Sequence, residues 1–158
     1  MTTPYWLFGT NLSILIDEQQ THSQFDVIEG RLPAGTETPL HLHTKYDEFL
    51  YVLEGIFTVY TDSGTWTLEA GQHIFIPRNT PHVVAAIGLT INRGLTIASP
   101  SAFGKLIRTV GIPETDDKIF PYTANDMGLF IQLSEETGDI ILGSPGARPT
   151  LKKKTDIG

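Results

Sequence analysis

His41 and His43 stand one residue apart, and Glu48 follows in the same short stretch, G-T-E-T-P-L-H-L-H-T-K-Y-D-E-F-L-Y-V-L-E-G from Gly35 to Gly55. This spacing restricts the fold more than any other feature. In a β-strand, residues two apart project to the same face. Both imidazoles can therefore aim at one point inside a barrel. Thr44 to Asp47 is polar and long enough for a turn. Glu48 then opens the run F-L-Y-V-L and can bring a carboxylate to the same point. His82 follows the turn Arg78-Asn79-Thr80-Pro81 and offers a further nitrogen.

Short strand-like runs separated by turn residues fill positions 9–100. Leu12, Ile14 and Ile16 alternate with polar residues, and Phe25, Val27 and Ile28 form a second run. Leu50–Leu53 and Ile56–Tyr60 flank Glu54-Gly55, which reads as a tight hairpin. Thr65–Leu68, Ile74–Ile76, Val83–Ala86 and Leu95–Ile97 complete the set. Many short strands rich in β-branched and aromatic residues predict an all-β sandwich or barrel, for which a jelly roll is a natural form.

After Pro100 the pattern becomes helical. Ser101 is placed to cap a helix over residues 102–110, with Phe103, Leu106, Ile107 and Val110 on one face. Thr123 or Asn125 starts a second helix carrying Met127, Leu129, Phe130 and Leu133. The segment 101–146 is too small for a core of its own and is expected to pack on the barrel. Residues 147–158, with Lys152-Lys153-Lys154, read as a disordered tail. With no internal repeat, the 158 residues form one domain.

Composition excludes several classes of function. The net charge of −7 and pI near 5.1 argue against nucleic-acid binding, which needs clustered Lys and Arg. There is no run of about 18 apolar residues to cross a membrane. The N-terminus lacks a basic region followed by an apolar run, so the expected location is the cytoplasm. No cysteine is present, which removes disulfides, thiolate nucleophiles and Cys-based zinc sites. Neither a phosphate loop nor a dinucleotide fingerprint occurs.

The two histidine segments resemble the signatures of the cupin superfamily. The first runs Gly35, five residues, His41-x-His43, four residues, Glu48, six residues, Gly55. The second runs Gly71, five residues, Pro77, then Asn79 and His82. Asn79 stands where the family usually has Gly, and Ala86 where it often has Asn. Asn is the non-glycine residue that best tolerates a left-handed backbone. The short gap of residues 56–70 is similar to that of single-domain bacterial cupins, among them proteins similar to quercetin dioxygenases.

The resemblance implies a double-stranded β-helix barrel over residues 9–100 with a short C-terminal helical tail. It implies one divalent transition metal (Fe, Mn, Ni, Co, Cu or Zn) held by His41, His43, Glu48 and His82. Three imidazoles and a carboxylate suit such a borderline ion and leave coordination positions open. Glu48 is also the candidate catalytic base. Strand parity makes Leu50 and Val52 inward neighbours of Glu48, and Val84 of His82; Phe75 and Phe103 are expected to close the pocket. His22 and His73 read as surface histidines. Glu37 and Thr38 are placed to hydrogen-bond a ligating imidazole or to lie in a solvated loop.

The expected activity is that of a metal-dependent oxygenase, similar to quercetinases, acting on a small enolic or phenolic substrate. The alternatives are a metal enzyme of another kind, an isomerase or decarboxylase, and a small-molecule binding or sensing module. Outward-facing Phe49, Tyr51 and Leu53 predict a homodimer.

Overall fold

The structure, a computed structural model, describes residues 2–88 and 90–154. In chain order its early strands are β1 (Tyr5–Leu7), β2 (Thr10–Ile16), β3 (Asp26–Pro33), β4 (Leu40–His43) and β5 (Asp47–Glu54). β6 (Ile56–Thr61), β7 (Gly64–Glu69), β8 (His73–Ile76), β9 (His82–Ala86) and β10 (Ile91–Ser99) follow. The last two are β11 (Ile112–Pro113) and β12 (Asp139–Gly143). The helices are α1 (Glu18–Thr21), α2 (Phe103–Val110) and α3 (Met127–Thr137).

The strands make two antiparallel sheets. One has the order β11-β1-β2-β3-β10-β5-β8 and the other β12-β4-β9-β6-β7. Consecutive strands often lie in different sheets, so the chain winds between them as a jelly-roll barrel. Strand periodicity explains which side chains meet inside. On β5, Glu48, Leu50 and Val52 are buried while Phe49, Tyr51 and Leu53 are partly exposed.

Two apolar clusters fill the interior. One joins Leu32, Leu50, Val52, Phe57, Val59, Leu68, Ile76, Val84 and Ala86 within the barrel. The other joins Leu7, Phe8, Leu12, Ile14 and Ile28 to Leu106, Ile107, Val110 and Phe130 of the two longer helices. The C-terminal segment therefore seals one end of the barrel.

Four local expectations need correction. Glu54-Gly55 is not a hairpin, because β5 and β6 belong to opposite sheets. Gly55 carries the chain across at φ +82°, and a Cβ there would lie 2.1 Å from Asn92 Oδ1, which accepts from Ile56 N. Ser101 does not cap α2; Asp26 Oδ2 on β3 accepts from Ala102 N and Gly104 N instead. A distant carboxylate serves the helix's free N–H groups as well as a local hydroxyl would. Asp126, rather than Thr123 or Asn125, caps α3 by accepting from Leu129 N.

The fourth correction concerns the tail. Residues 101–146 are not purely helical, since β12 pairs with β4. Nor are residues 147–154 loose. Arg148 makes a paired contact with Glu37 and lies over the Tyr60 ring, and Lys152 N donates to Asp62 O. Residues 155–158, also expected to be disordered, lie outside the described residues.

Candidate metal centre

β4 sets His41 and His43 on one sheet, and antiparallel pairing places His82 of β9 directly opposite His41. Glu48 comes from β5 in the facing sheet. One ligand-type atom from each of these four residues can be chosen so that all lie within 4.8 Å of one another. The imidazole centroids are 4.2 Å apart for His41 and His82, 4.9 Å for His41 and His43, and 5.1 Å for His43 and His82. The structure thus brings together all four ligand candidates.

The turn before β9 is fixed by polar contacts. Asn79 has φ +64°, the left-handed backbone for which Asn can stand in for Gly. Its N–H donates to His43 O at 2.6 Å. Arg78 grips Asp47 through Nε and one terminal guanidinium nitrogen, at 3.1 and 3.0 Å, tying this turn to the start of β5.

Each histidine uses Nδ1 for an outward hydrogen bond. His41 Nδ1 donates to Pro39 O at 2.7 Å and His82 Nδ1 to Thr80 O at 2.8 Å. His43 Nδ1 donates to Asp139 Oδ1 at 2.7 Å. These bonds leave the three Nε2 atoms available to ligate. Glu48 Oε2 lies 2.8 Å from His43 Nε2 and 3.3 Å from His82 Nε2. Three Nε2 donors and a carboxylate, held from outside, suit a divalent transition ion.

Burial and charge set the protonation states. Burial pushes His43 down, but the Asp139 and Glu48 carboxylates outweigh it and raise its pKa to about 9. His41 is held well below the usual imidazole range, first by burial and then by the neighbouring histidines. Burial pushes Glu48 up, yet hydrogen bonds from His43 and His82 hold it well below the ordinary carboxylate range. Without an ion, the centre is therefore a buried His43–Glu48 ion pair beside a neutral His41.

The cluster opens on a cavity between the two apolar clusters. His41, His43 and Glu48 line one end, and Leu50, Phe57 and Val84 the barrel wall. Leu7, Phe8, Leu12, Phe103, Leu106, Phe130 and Ile141 line the end made by the N-terminal strands and the C-terminal segment. Among the described residues that line it there is no Lys or Arg.

Of the five expected pocket residues, Leu50, Val84 and Phe103 line this cavity. Val52 is fully buried, but it fills the barrel cluster and does not reach the cavity. Phe75 is 59% exposed. β8 pairs Phe75 with outward-facing Phe49, so parity turns it outward, and Ile76 faces in beside Glu48. His22 and His73 are exposed surface residues. Glu37 and Thr38 do not bond a ligand histidine: Glu37 pairs with Arg148 and Thr38 Oγ1 accepts from Val84 N.

Sequence reasoning missed Asp139, Tyr46 and the apolar wall from residues 7–12, Phe130 and Ile141. Tyr46 is fully buried. Its OH donates to Asp139 Oδ1 at 2.5 Å and its ring stacks on His43 at 4.2 Å. The single local signal was an aromatic residue inside an otherwise polar turn.

Comparison with known proteins agrees with this geometry. Residues 28–97 match the cupin domain family. The chain is 30% identical over 108 residues to quercetin 2,3-dioxygenase of Bacillus subtilis, covering 68% of this chain and 32% of that protein. It is 37% identical over 60 residues to an uncharacterized protein of Methanocaldococcus jannaschii, covering 38% of this chain and 48% of that one. The chain thus spans a third to a half of these curated relatives.

Among solved structures, a predicted oxalate decarboxylase of Thermotoga maritima superposes with a TM-score of 0.58 at 20% identity, covering 63% of this chain and 93% of that one. The polyketide cyclase RemF of Streptomyces resistomycificus gives 0.52 at 28% identity, covering 59% and 66%.

Proposed function

Residues 28–97 are a cupin domain, and from this we propose that the protein is a metal-dependent oxygenase of a small, neutral, mainly apolar substrate carrying an enolic or phenolic hydroxyl. One observation carries the reading: a four-residue ligand cluster opens directly on an apolar cavity. His41, His43 and His82 would hold the ion through Nε2, and Glu48 would complete the set. A divalent ion held there supplies Lewis acidity and positions for oxygen ligands. The similarity to quercetin 2,3-dioxygenase supports oxygen chemistry.

The chain's own residues divide the work. Leu50, Phe57, Val84 and the aromatic end at Phe8, Phe103 and Phe130 would seat the carbon skeleton and exclude water. A neutral skeleton is favoured because an anion beyond the cluster would meet an apolar wall without a compensating cation. Glu48 lines the cavity, which places its carboxylate to accept the proton of a substrate hydroxyl.

A second reading, a metal enzyme that consumes no oxygen, draws support from the polyketide cyclase similarity. A third is a module that binds a metabolite without turning it over. Elemental analysis of protein purified without chelator or nickel resin, followed by oxygen-electrode assays with small phenols and enols, decides among them. Uptake that depends on the bound metal supports the oxygenase. Product without oxygen uptake selects the second reading, and binding without product the third.

A further inference from the structure

We infer that Asp139 and Tyr46 are positioning residues that make His43 the strongest nitrogen donor of the metal centre, an inference that rests on the metal-binding reading above. The three histidines are not equivalent. His41 and His82 donate their Nδ1 protons to neutral backbone carbonyls, whereas His43 donates to a carboxylate. An anionic acceptor on one ring nitrogen increases the basicity of the other.

Asp139 is built for this task. It is 3% exposed, and both of its hydrogen bonds fall on Oδ1, one from His43 and one from Tyr46. Oδ2 has no hydrogen-bond partner among the described residues. A buried carboxylate with so few partners acts chiefly on these two, the His43 imidazole and the Tyr46 hydroxyl. Tyr46 keeps that carboxylate in place through its OH, and its stacked ring fixes the tilt of His43.

The backbone secures the arrangement. β12 pairs Asp139 with His43 in register. Gly138 ends α3 at φ +80°, and its O accepts from both Thr44 N and Thr44 Oγ1. A Cβ at Gly138 would lie 2.7 Å from Thr44 Oγ1 and 2.8 Å from Lys45 Cγ. Lys45 Nζ also donates to the Glu135 carbonyl at the C-terminal end of α3. The C-terminal segment thus docks on the turn between His43 and Glu48 and delivers the carboxylate there.

The test compares wild type with D139N, Y46F and the remote control D62N, using chelator-buffered Co²⁺ at pH 9.5, where imidazolium is the minor form. D139N is expected to bind Co²⁺ about 10- to 100-fold more weakly and to shift the visible Co²⁺ bands. Y46F should show a smaller loss in the same direction, and D62N none. A D139N protein that melts at lower temperature but binds Co²⁺ as tightly as wild type would make Asp139 purely structural and overturn the inference. If D139N does not fold, Y46F decides: unchanged affinity and spectrum overturn it. Absence of saturable Co²⁺ binding by wild type removes the metal-binding reading itself, and this inference with it.

Discussion

Metal uptake by this centre should be a proton exchange, and His43 sets its pH dependence. With a pKa of about 9, His43 is a cation at neutral pH in the metal-free protein. A histidine must lose its Nε2 proton before it can ligate. At pH 7 roughly 1% of His43 is neutral, so apparent affinity lies about 100-fold below its limiting value. Affinity should rise about tenfold per pH unit and level off near pH 9. His41, held well below the usual range, is neutral throughout this window, and Glu48 is ionised throughout. Neither adds to the slope.

The same proton acts on folding with the opposite sign. His43 has a raised pKa in the folded protein, so its contribution is fully present below about pH 6.5 and is lost as pH rises through about 9. A shift of this size corresponds to roughly 3 kcal/mol of metal-free stability. Glu48 behaves inversely, and its contribution is lost at acid pH as the pH falls through its depressed pKa. Calorimetric Co²⁺ titrations from pH 6.5 to 8.5, in buffers of different ionisation enthalpy, count the released proton. Denaturant melts of metal-free protein over the same range supply the second slope. Affinity independent of pH, with much less than one proton released at pH 7, would refute the assigned ion pair. D139N should flatten both slopes.

The remaining predictions concern single parts of the molecule. His41→Ala with His43→Ala should abolish metal binding, and full metal content in that double variant would show that the ligands lie elsewhere. Glu48→Gln should lower metal content only partly while turnover falls about 100- to 10,000-fold, the usual range for a general base; activity that merely tracks occupancy would leave Glu48 a ligand only. Gly55→Ala should cost roughly 1–3 kcal/mol in denaturant melts, because it combines a left-handed backbone with a clash on Asn92; an unchanged midpoint would contradict the crossing geometry. We expect a homodimer through the outer row Val27, Ile97, Phe49 and Phe75, which registers place side by side on four adjacent strands. Light scattering should report a dimer at micromolar concentration and a monomer for Phe75→Lys, and a monomeric wild type would refute this.

The cluster of four ligand candidates could be read from the sequence because each decision was local. His41 and His43 share a face by strand period alone, and Glu48 sits one turn later. Phe75 could not be placed this way. The run H-I-F-I of β8 is apolar or aromatic after its first residue, so no alternation shows its inner face. Only pairing with β5 sets the phase. Glu54-Gly55 misled for a related reason. A positive-φ glycine between two strands has the same sequence signature whether the chain turns back in one sheet or crosses to the other. The choice depends on which strands the neighbouring segments pair with.

Asp139 was beyond local reading for a stronger reason: it lies 96 positions from the histidine it contacts. In sequence it is one acid after a helix-ending glycine, and it acquires its role only when β12 joins the edge of β4. This bears on how specificity is distributed. The cupin match ends at residue 97, and it contains all four ligand candidates. The cavity's far wall lies outside that match, in Leu7, Phe8 and Leu12 and in Phe103, Leu106, Phe130 and Ile141. So does the carboxylate that bonds His43. A barrel of this kind could therefore keep its four-residue cluster while the flanking segments change the cavity wall and the carboxylate of Asp139. Substitution of Phe130, whose ring packs on Phe8 at 5.4 Å, should accordingly change which small molecules bind while leaving Co²⁺ affinity within about twofold. Metal affinity that fell in step with small-molecule binding in a folded Phe130→Ala variant would show that wall and centre are not separable.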